Sequence, residues 1–267
     1  MIQFLKESTF AVNEVINDAW EVLKRQYFYI TGLCFSLFLT SNASGILAFY
    51  LSDISPYIRG AMALLFIAIY IGLTLTLFKY ILHVLDSGER EVYLKDALPT
   101  KLEIVYFFLG GLCLSIIGFL AFLILQSILF PVYYIAVKYC SISREIAYNI
   151  PQALAFIVLI ALTMRIVFYP FFIIDRHDPP FKSIRFSLAI TKGNFTKLLL
   201  LLAFFAILQL LYIYFNYKGY AIVSTGLSIV SSFLIVPLSC VAMAVAYRQM
   251  MNDYNGDDDP EVLKNII

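Results

Sequence analysis

Asp175, His177 and Asp178 fall in one short stretch, and carboxylates beside an imidazole are suitable metal ligands. The only other histidine is His83, far away in the chain. The simpler expectation is therefore a structural loop in which Asp178 caps the helix that follows. Arg165 stands alone in an apolar stretch, where a guanidinium costs about 3 kcal/mol unless it finds a partner or reaches the interface. It could line a polar cavity and pair with Asp175 or a lipid phosphate, or snorkel to the headgroups past the Tyr169-Pro170 break. The tail DYNGDDDPE, starting at Asp253, looks superficially like a calcium loop. Asp258 stands where the turn glycine belongs and Lys264 where a bidentate glutamate is needed, so a solvated acidic tail is expected.

Other chemistry is hard to place. Cys34, Cys113, Cys140 and Cys240 show no C-x-x-C spacing, which argues against a disulfide framework. No Ser-His-Asp set, zinc motif, phosphate loop or dinucleotide fingerprint occurs, so no cofactor is expected. Gly110, Gly111 and Gly118 would let helices approach closely, and Pro151 and Pro237 could mark broken spans. Pro151 is expected near the start of its span, where it disturbs no hydrogen bond.

These residues must be carried by membrane helices. Of 267 residues 61% are hydrophobic and 14% charged, with a mean hydropathy of +0.85. Soluble domains run near 45–50% and 25%, so a water-soluble fold is disfavoured. A net charge of +1 gives no basic stripe for nucleic acid. Charge-free runs cover 26–52, 60–78, 104–137, 146–164, 198–217 and 219–247. Each is long enough to span a bilayer, and their continuous apolarity favours helices over an alternating barrel strand. The expected fold is all-α and polytopic: spans at about 27–51, 59–84, 104–130, 146–174, 195–217 and 220–247 within one domain, 1–250, followed by an acidic cytoplasmic tail, 251–267. The opening MIQFLKESTF, with Lys6 and Glu7, is unlike a cleaved signal.

Orientation follows from the cations. Only Arg59, Lys138, Arg144 and Lys218 fall on one side of this threading, and the other Lys and Arg residues fall on the opposite side. The positive-inside rule then places both termini in the cytoplasm. The cytoplasmic connections carry amphipathic helices. In 9–25, Val12, Val15, Ile16, Ala19, Trp20 and Leu23 recur at helical spacing, which predicts an interfacial helix with Trp20 at headgroup depth. A second helix is expected from Asp178 and Pro179 to a stop at Gly193, with Phe181, Ile184, Leu188 and Thr191 on its apolar face. Lys182, Arg185 and Lys192 on the other face would meet anionic headgroups, as would Lys24 and Arg25 at the end of the first helix.

The segment 20–30, WEVLKRQYFYI, overlays 188–198, LAITKGNFTKL, pairing Lys24 with Lys192, Gln26 with Asn194 and Tyr27 with Phe195. A fainter version, YLKDALP at 93–99, precedes the third span. An interfacial element followed by a transmembrane hairpin, used three times, would account for this.

The run RIVFYPFFIIDRHDPPFKSIRFSLAITKGNF, 165–195, together with HVLDSGE, 83–89, resembles a large family of bacterial and archaeal membrane proteins. That family includes YciC-like proteins and the membrane domain fused to some glycerophosphodiester phosphodiesterases. The resemblance implies six helices and brings no catalytic residue; the phosphodiesterase domain of the fused relatives is absent from these 267 residues. The expected function is a non-catalytic, lipid-associated scaffold or accessory subunit in a bacterial inner membrane, with anionic lipids and a membrane protein as partners. The other expectation is a small transporter or exporter of an apolar or amphipathic substrate. Candidate lipid or partner contacts are Trp20, Lys24, Arg25, Arg165, Asp175, Lys182, Arg185 and Lys192.

Overall fold

A computed structural model describes residues 11–50, 55–88, 92–138, 143–252 and 254. Apart from Met251, Asn252 and Tyr254, the acidic tail with its calcium-like loop lies outside the described residues, as do Lys6, Arg90 and Cys140. The described chain is helical. It runs α1 (Val12–Arg25), α2 (Tyr27–Tyr50), α3 (Pro56–Ser87), a 3₁₀ turn (Leu94–Ala97), α4 (Lys101–Lys138), α5 (Arg144–Ile166), α6 (Tyr169–Arg176), α7 (Pro180–Ile190), α8 (Phe195–Tyr217), α9 (Ala221–Val230), a π segment (Ser231–Ile235) and α10 (Val236–Asn252). Six stretches are long and apolar enough to cross a membrane, the fourth combining α5 with α6 and the sixth combining α9, the π segment and α10. The chain is an all-α, multi-pass membrane protein.

Several helices overrun the apolar stretches that announce them. At 38 residues α4 is about 57 Å long, so it must tilt or protrude from a hydrocarbon layer of about 30 Å. Pro151 does open the fourth apolar span, as expected, but helix α5 already begins at Arg144. The proline therefore lies inside the helix and its missing N–H leaves one helical hydrogen bond unmade, which corrects that part of the expectation. Charge-free runs stop at the first charged residue, whereas backbone hydrogen bonding carries a helix past it.

Consecutive spans pair as hairpins, α2 with α3, α4 with α5 and α8 with α9. The short elements then join the hairpins at one end. The 3₁₀ turn packs on α3, α7 packs on α6, and α1 packs on α10, so each short element sits against the last helix of a preceding hairpin and α1 closes the ring. This matches the threefold unit in the sequence.

Burial follows the same plan. Val15, Leu23, Leu75, Tyr80, Phe172, Phe186 and Tyr247 are fully enclosed, all at the end where α1, the 3₁₀ turn and α7 lie. Towards the hairpin tips the same residue types face outward: Phe49 is 76% exposed, Phe130 61%, Ile157 62% and Ile222 90%. In water such a surface would aggregate; in lipid it is the expected coat.

The fourth span breaks between α5 and α6, where Pro170 lacks the amide hydrogen needed to continue the helix. Polar backbone released at membrane depth must be satisfied within the protein. The Ser187 hydroxyl donates to the Arg165 carbonyl at 2.9 Å and accepts from the Phe168 N–H at 3.1 Å, and the Thr191 hydroxyl also donates to the Arg165 carbonyl at 3.2 Å. Helix α7 thereby turns its hydroxyl-bearing side inward. Ser183, Ser187 and Thr191 are fully buried, while Phe181, expected on the apolar face, is 61% exposed. Leu188 and Thr191 are buried as the predicted face requires, but Phe181 is not and the serines are added to it, because α7 sits in a socket between α4, α5 and α6, not flat on an interface. Asp178 is likewise not its cap: Pro179 occupies that position, with no side-chain cap hydrogen bond. Gly193, at φ 82°, does end this segment in a left-handed turn.

Ser187→Ala should leave the Phe168 amide short of a partner and cost about 1–3 kcal/mol. Thermal unfolding in detergent should show a clear drop in Tm, and Phe181→Ala should be nearly neutral.

Candidate functional site

The polar side chains converge at the packed end, where α3, α6 and α10 finish. From α10, Arg248 forms a fork on Asp175 of α6, with Nη1 and Nη2 donating to the two carboxylate oxygens at 2.9 and 2.8 Å. Its Nη2 also reaches Asp86 at the end of α3, at 2.6 Å. The neighbouring Tyr247 hydroxyl donates to Asp175 Oδ2 at 2.9 Å. One guanidinium thus ties together the ends of the second, fourth and sixth spans, with the planar bidentate geometry that arginine supports and lysine does not.

A second cluster lies on α4. Thr100 and Glu103 cap that helix reciprocally, the Thr100 N–H donating to Glu103 Oε2 at 2.8 Å and the Glu103 N–H to Thr100 Oγ1 at 3.3 Å. Glu103 is almost fully buried and is held by Lys79 Nζ of α3, at 3.1 and 3.2 Å. His177 Nδ1 approaches the same carboxylate at 3.2 Å. His177 has φ 54°, a left-handed turn residue that closes α6 and redirects the chain into α7.

The sequence cluster Asp175, His177 and Asp178 is therefore pulled three ways. Asp175 faces Arg248 and Tyr247, His177 faces Glu103, and Asp178 faces Lys182 at 3.1 Å and Arg176 at 3.7 Å. Among the described residues no group of three His, Cys, Asp or Glu side chains could hold a metal. Arg165 does not pair with Asp175 either; its Nη2 donates to the Leu188 carbonyl of α7 at 3.2 Å, beside the span break.

The remaining candidates are spread over the rim. Lys24 lies 5.3 Å from the ring centre of Trp20, itself 38% exposed on the outer side of α1, and Arg25 donates to the Gly88 carbonyl at 3.3 Å. Lys182 and Arg176 flank the Phe186 ring at 5.5 and 4.5 Å. Arg185 is half-buried and Lys192 exposed on the same loop system. Gly110 earns its small size within the chain: an added Cβ would stand 2.9 Å from Tyr169 Cε2, while Gly118 has open space around it.

Lys79, Glu103, Asp86, Tyr247 and Arg248 were not among the residues singled out from the sequence. Glu103 carried a local signal, the T-x-x-E capping pattern ahead of an apolar run, and Asp86 lies within the 83–89 stretch noted in the sequence. The others meet across long sequence separations. Searches of family models, curated proteins and solved structures found no match to this chain.

Each carboxylate of the two clusters is engaged by a cation, a hydroxyl or a backbone N–H, an arrangement suited to fastening helices. Arg248→Met should leave Asp175 and Asp86 facing each other without a cation. With these side chains partly exposed, a loss of about 2 kcal/mol is expected, between the values for surface and buried pairs. A double-mutant cycle with Asp175→Asn, read by thermal unfolding, should show strong coupling; additive effects would mean that the fork contributes nothing.

Proposed function

We propose that this chain is a non-catalytic, lipid-associated scaffold or accessory subunit of a membrane complex, placed in a bacterial inner membrane with both termini in the cytoplasm. The observation that supports it best is the use of the polar groups: Arg248, Asp175, Asp86, Lys79 and Glu103 bind one another and join spans. The excess of cations at the packed end supports the orientation. There Lys24, Arg25, Lys182, Arg185 and Lys192 would meet anionic headgroups, with Trp20 at the same depth. The resemblance of 165–195 and 83–89 to the YciC-like family fits this reading of a six-helix membrane domain without chemistry of its own.

Crosslinking in native membranes tests it. Recovery of a stable membrane protein partner, with enrichment of anionic lipid, is the expected result; neither partner nor enrichment would overturn the proposal. Reporter fusions at Arg90 and Lys192 should both report the cytoplasm, and an external signal from either would refute the orientation.

A second reading, a small transporter of an apolar or amphipathic substrate, is favoured by one observation: the fourth span is broken beside Arg165 and the sixth contains a π segment. Discontinuous helices are the parts from which transporter sites are built. Reconstituted vesicles should distinguish the readings. Substrate flux that Arg165→Ala abolishes would favour transport, and its absence would favour the scaffold.

A further inference from the structure

The α4–α5 hairpin carries a groove that neither the fold nor the ion pairs use. It has a volume of about 330 Å³ and is lined by Leu114, Gly118 and Ala121 of α4, Leu159 and Leu162 of α5, and Tyr169 at the start of α6. Gly118 leaves its floor bare, since an added Cβ there would meet nothing within 4 Å. Ile117 and Leu162 on its walls are exposed, so the groove opens on the surface that lipid covers. Of its two hydroxyls, that of Thr163 is already donated to the Leu159 carbonyl at 2.8 Å.

The other hydroxyl, on Tyr169, is held in place and makes no hydrogen bond among the described residues. The Tyr169 ring stacks on Phe107 with centroids 5.7 Å apart and lies against the bare backbone at Gly110, where an added Cβ would stand 2.9 Å from Cε2. Its oxygen sits over Gly111, 3.6 Å from where a Cβ would be. A phenol in apolar surroundings normally finds an acceptor for its O–H, and leaving it without one is costly. Depth narrows what that acceptor is. About 42 Å of α4 separates Gly110 from Lys138 at the far end of the helix, close to the roughly 40–45 Å of a bilayer with its headgroups. Tyr169 therefore stands at the interface of the leaflet on the packed-end side, the level at which tyrosines collect.

We propose that this groove seats one acyl chain of a diacyl glycerophospholipid from the packed-end leaflet, with the Tyr169 hydroxyl donating to the ester carbonyl of that chain. The occupant follows from the order of the parts. An apolar trough open to hydrocarbon ends, at the interface, in a single fixed donor without a partner, which matches the tail and then the linkage of one lipid. The contact involves no headgroup, so an anionic and a zwitterionic phospholipid are held alike. The proposal rests on the lipid-associated reading and deepens it with a position that does not depend on headgroup charge, unlike the basic rim. A chain seated there fills the space beside the broken fourth span, which makes the lipid part of the packing of the second hairpin.

The test uses the full chain in mild detergent, read by native mass spectrometry. The probes are dioleoyl phosphatidylglycerol, dioleoyl phosphatidylethanolamine and the diether analogue of the former, which lacks the ester carbonyls. Expected is one retained phospholipid per chain from either ester lipid. Gly118→Leu, whose side chain enters open space and fills the floor, should abolish retention, and Tyr169→Phe should weaken it severalfold. The diether should bind the wild type as weakly as the ester lipid binds Tyr169→Phe, with no further loss in that variant. If Gly118→Leu lowers Tm, Ala121→Leu takes its place. The proposal is overturned if no lipid is retained, if the groove-filling variant or Tyr169→Phe retains it as the wild type does, or if the diether is held as well as the diester. Retention of phosphatidylglycerol alone, unaltered by Gly118→Leu, would overturn the groove and leave the scaffold reading standing.

Discussion

Arg248 is the residue on which the rest of this architecture turns. Its guanidinium stands partly exposed at the packed end of the bundle, where protein carboxylates rather than solvent meet both Nη groups. Here it is met by carboxylates from two other spans, Asp175 and Asp86. The three helices that end at these residues are the ones on which α1, the 3₁₀ turn and α7 rest. The ion fork fixes their ends, the aromatic group of Phe171, Phe172 and Tyr247 fills the space beneath, and the short helices enclose that core from outside.

From this base the hairpins run outward with little to hold them to one another. Between apolar helices in lipid there is no hydrophobic drive to associate, because the tails are as apolar as the side chains. Exposed residues such as Phe49, Phe130 and Ile222 therefore do not signal a defect of packing. They mark the part of the protein whose covering is lipid. The two interruptions, at Val167–Phe168 and at the π segment, are each repaired by a hydroxyl from another helix, Ser187 in one case and Tyr27 in the other.

The spans were legible in the sequence because charge-free runs of this length have one stable environment. The short helix α1 was legible for the same kind of reason, since a stripe of Val15, Ala19 and Leu23 repeats with the helical period. The inward face of α7 was legible only in part: Leu188 and Thr191 were placed on it, but the serines were not. Only the broken span next to the helix supplies the carbonyl and amide that draw Ser187 inside. The polar clusters were half visible: Asp175 stood out by position, but its partner Arg248 lies 73 residues away, and nothing local in the sequence joins them. The faint overlay of 20–30 on 188–198 falls where α1 precedes the first hairpin and α7 the third, and the short element before the second hairpin is a single 3₁₀ turn.

The central claim is that one end of the molecule is a shared core and the other consists of hairpins bathed in lipid. Labelling by a membrane-soluble photoactivated diazirine, mapped by mass spectrometry on the protein in bilayers, tests it most directly. The account predicts heavy labelling around Phe130, Ile157 and Ile222 and protection around Leu75, Phe172 and Val245, at the packed ends of three spans. Equal labelling along the length of each span, or protection of the hairpin tips, would contradict it.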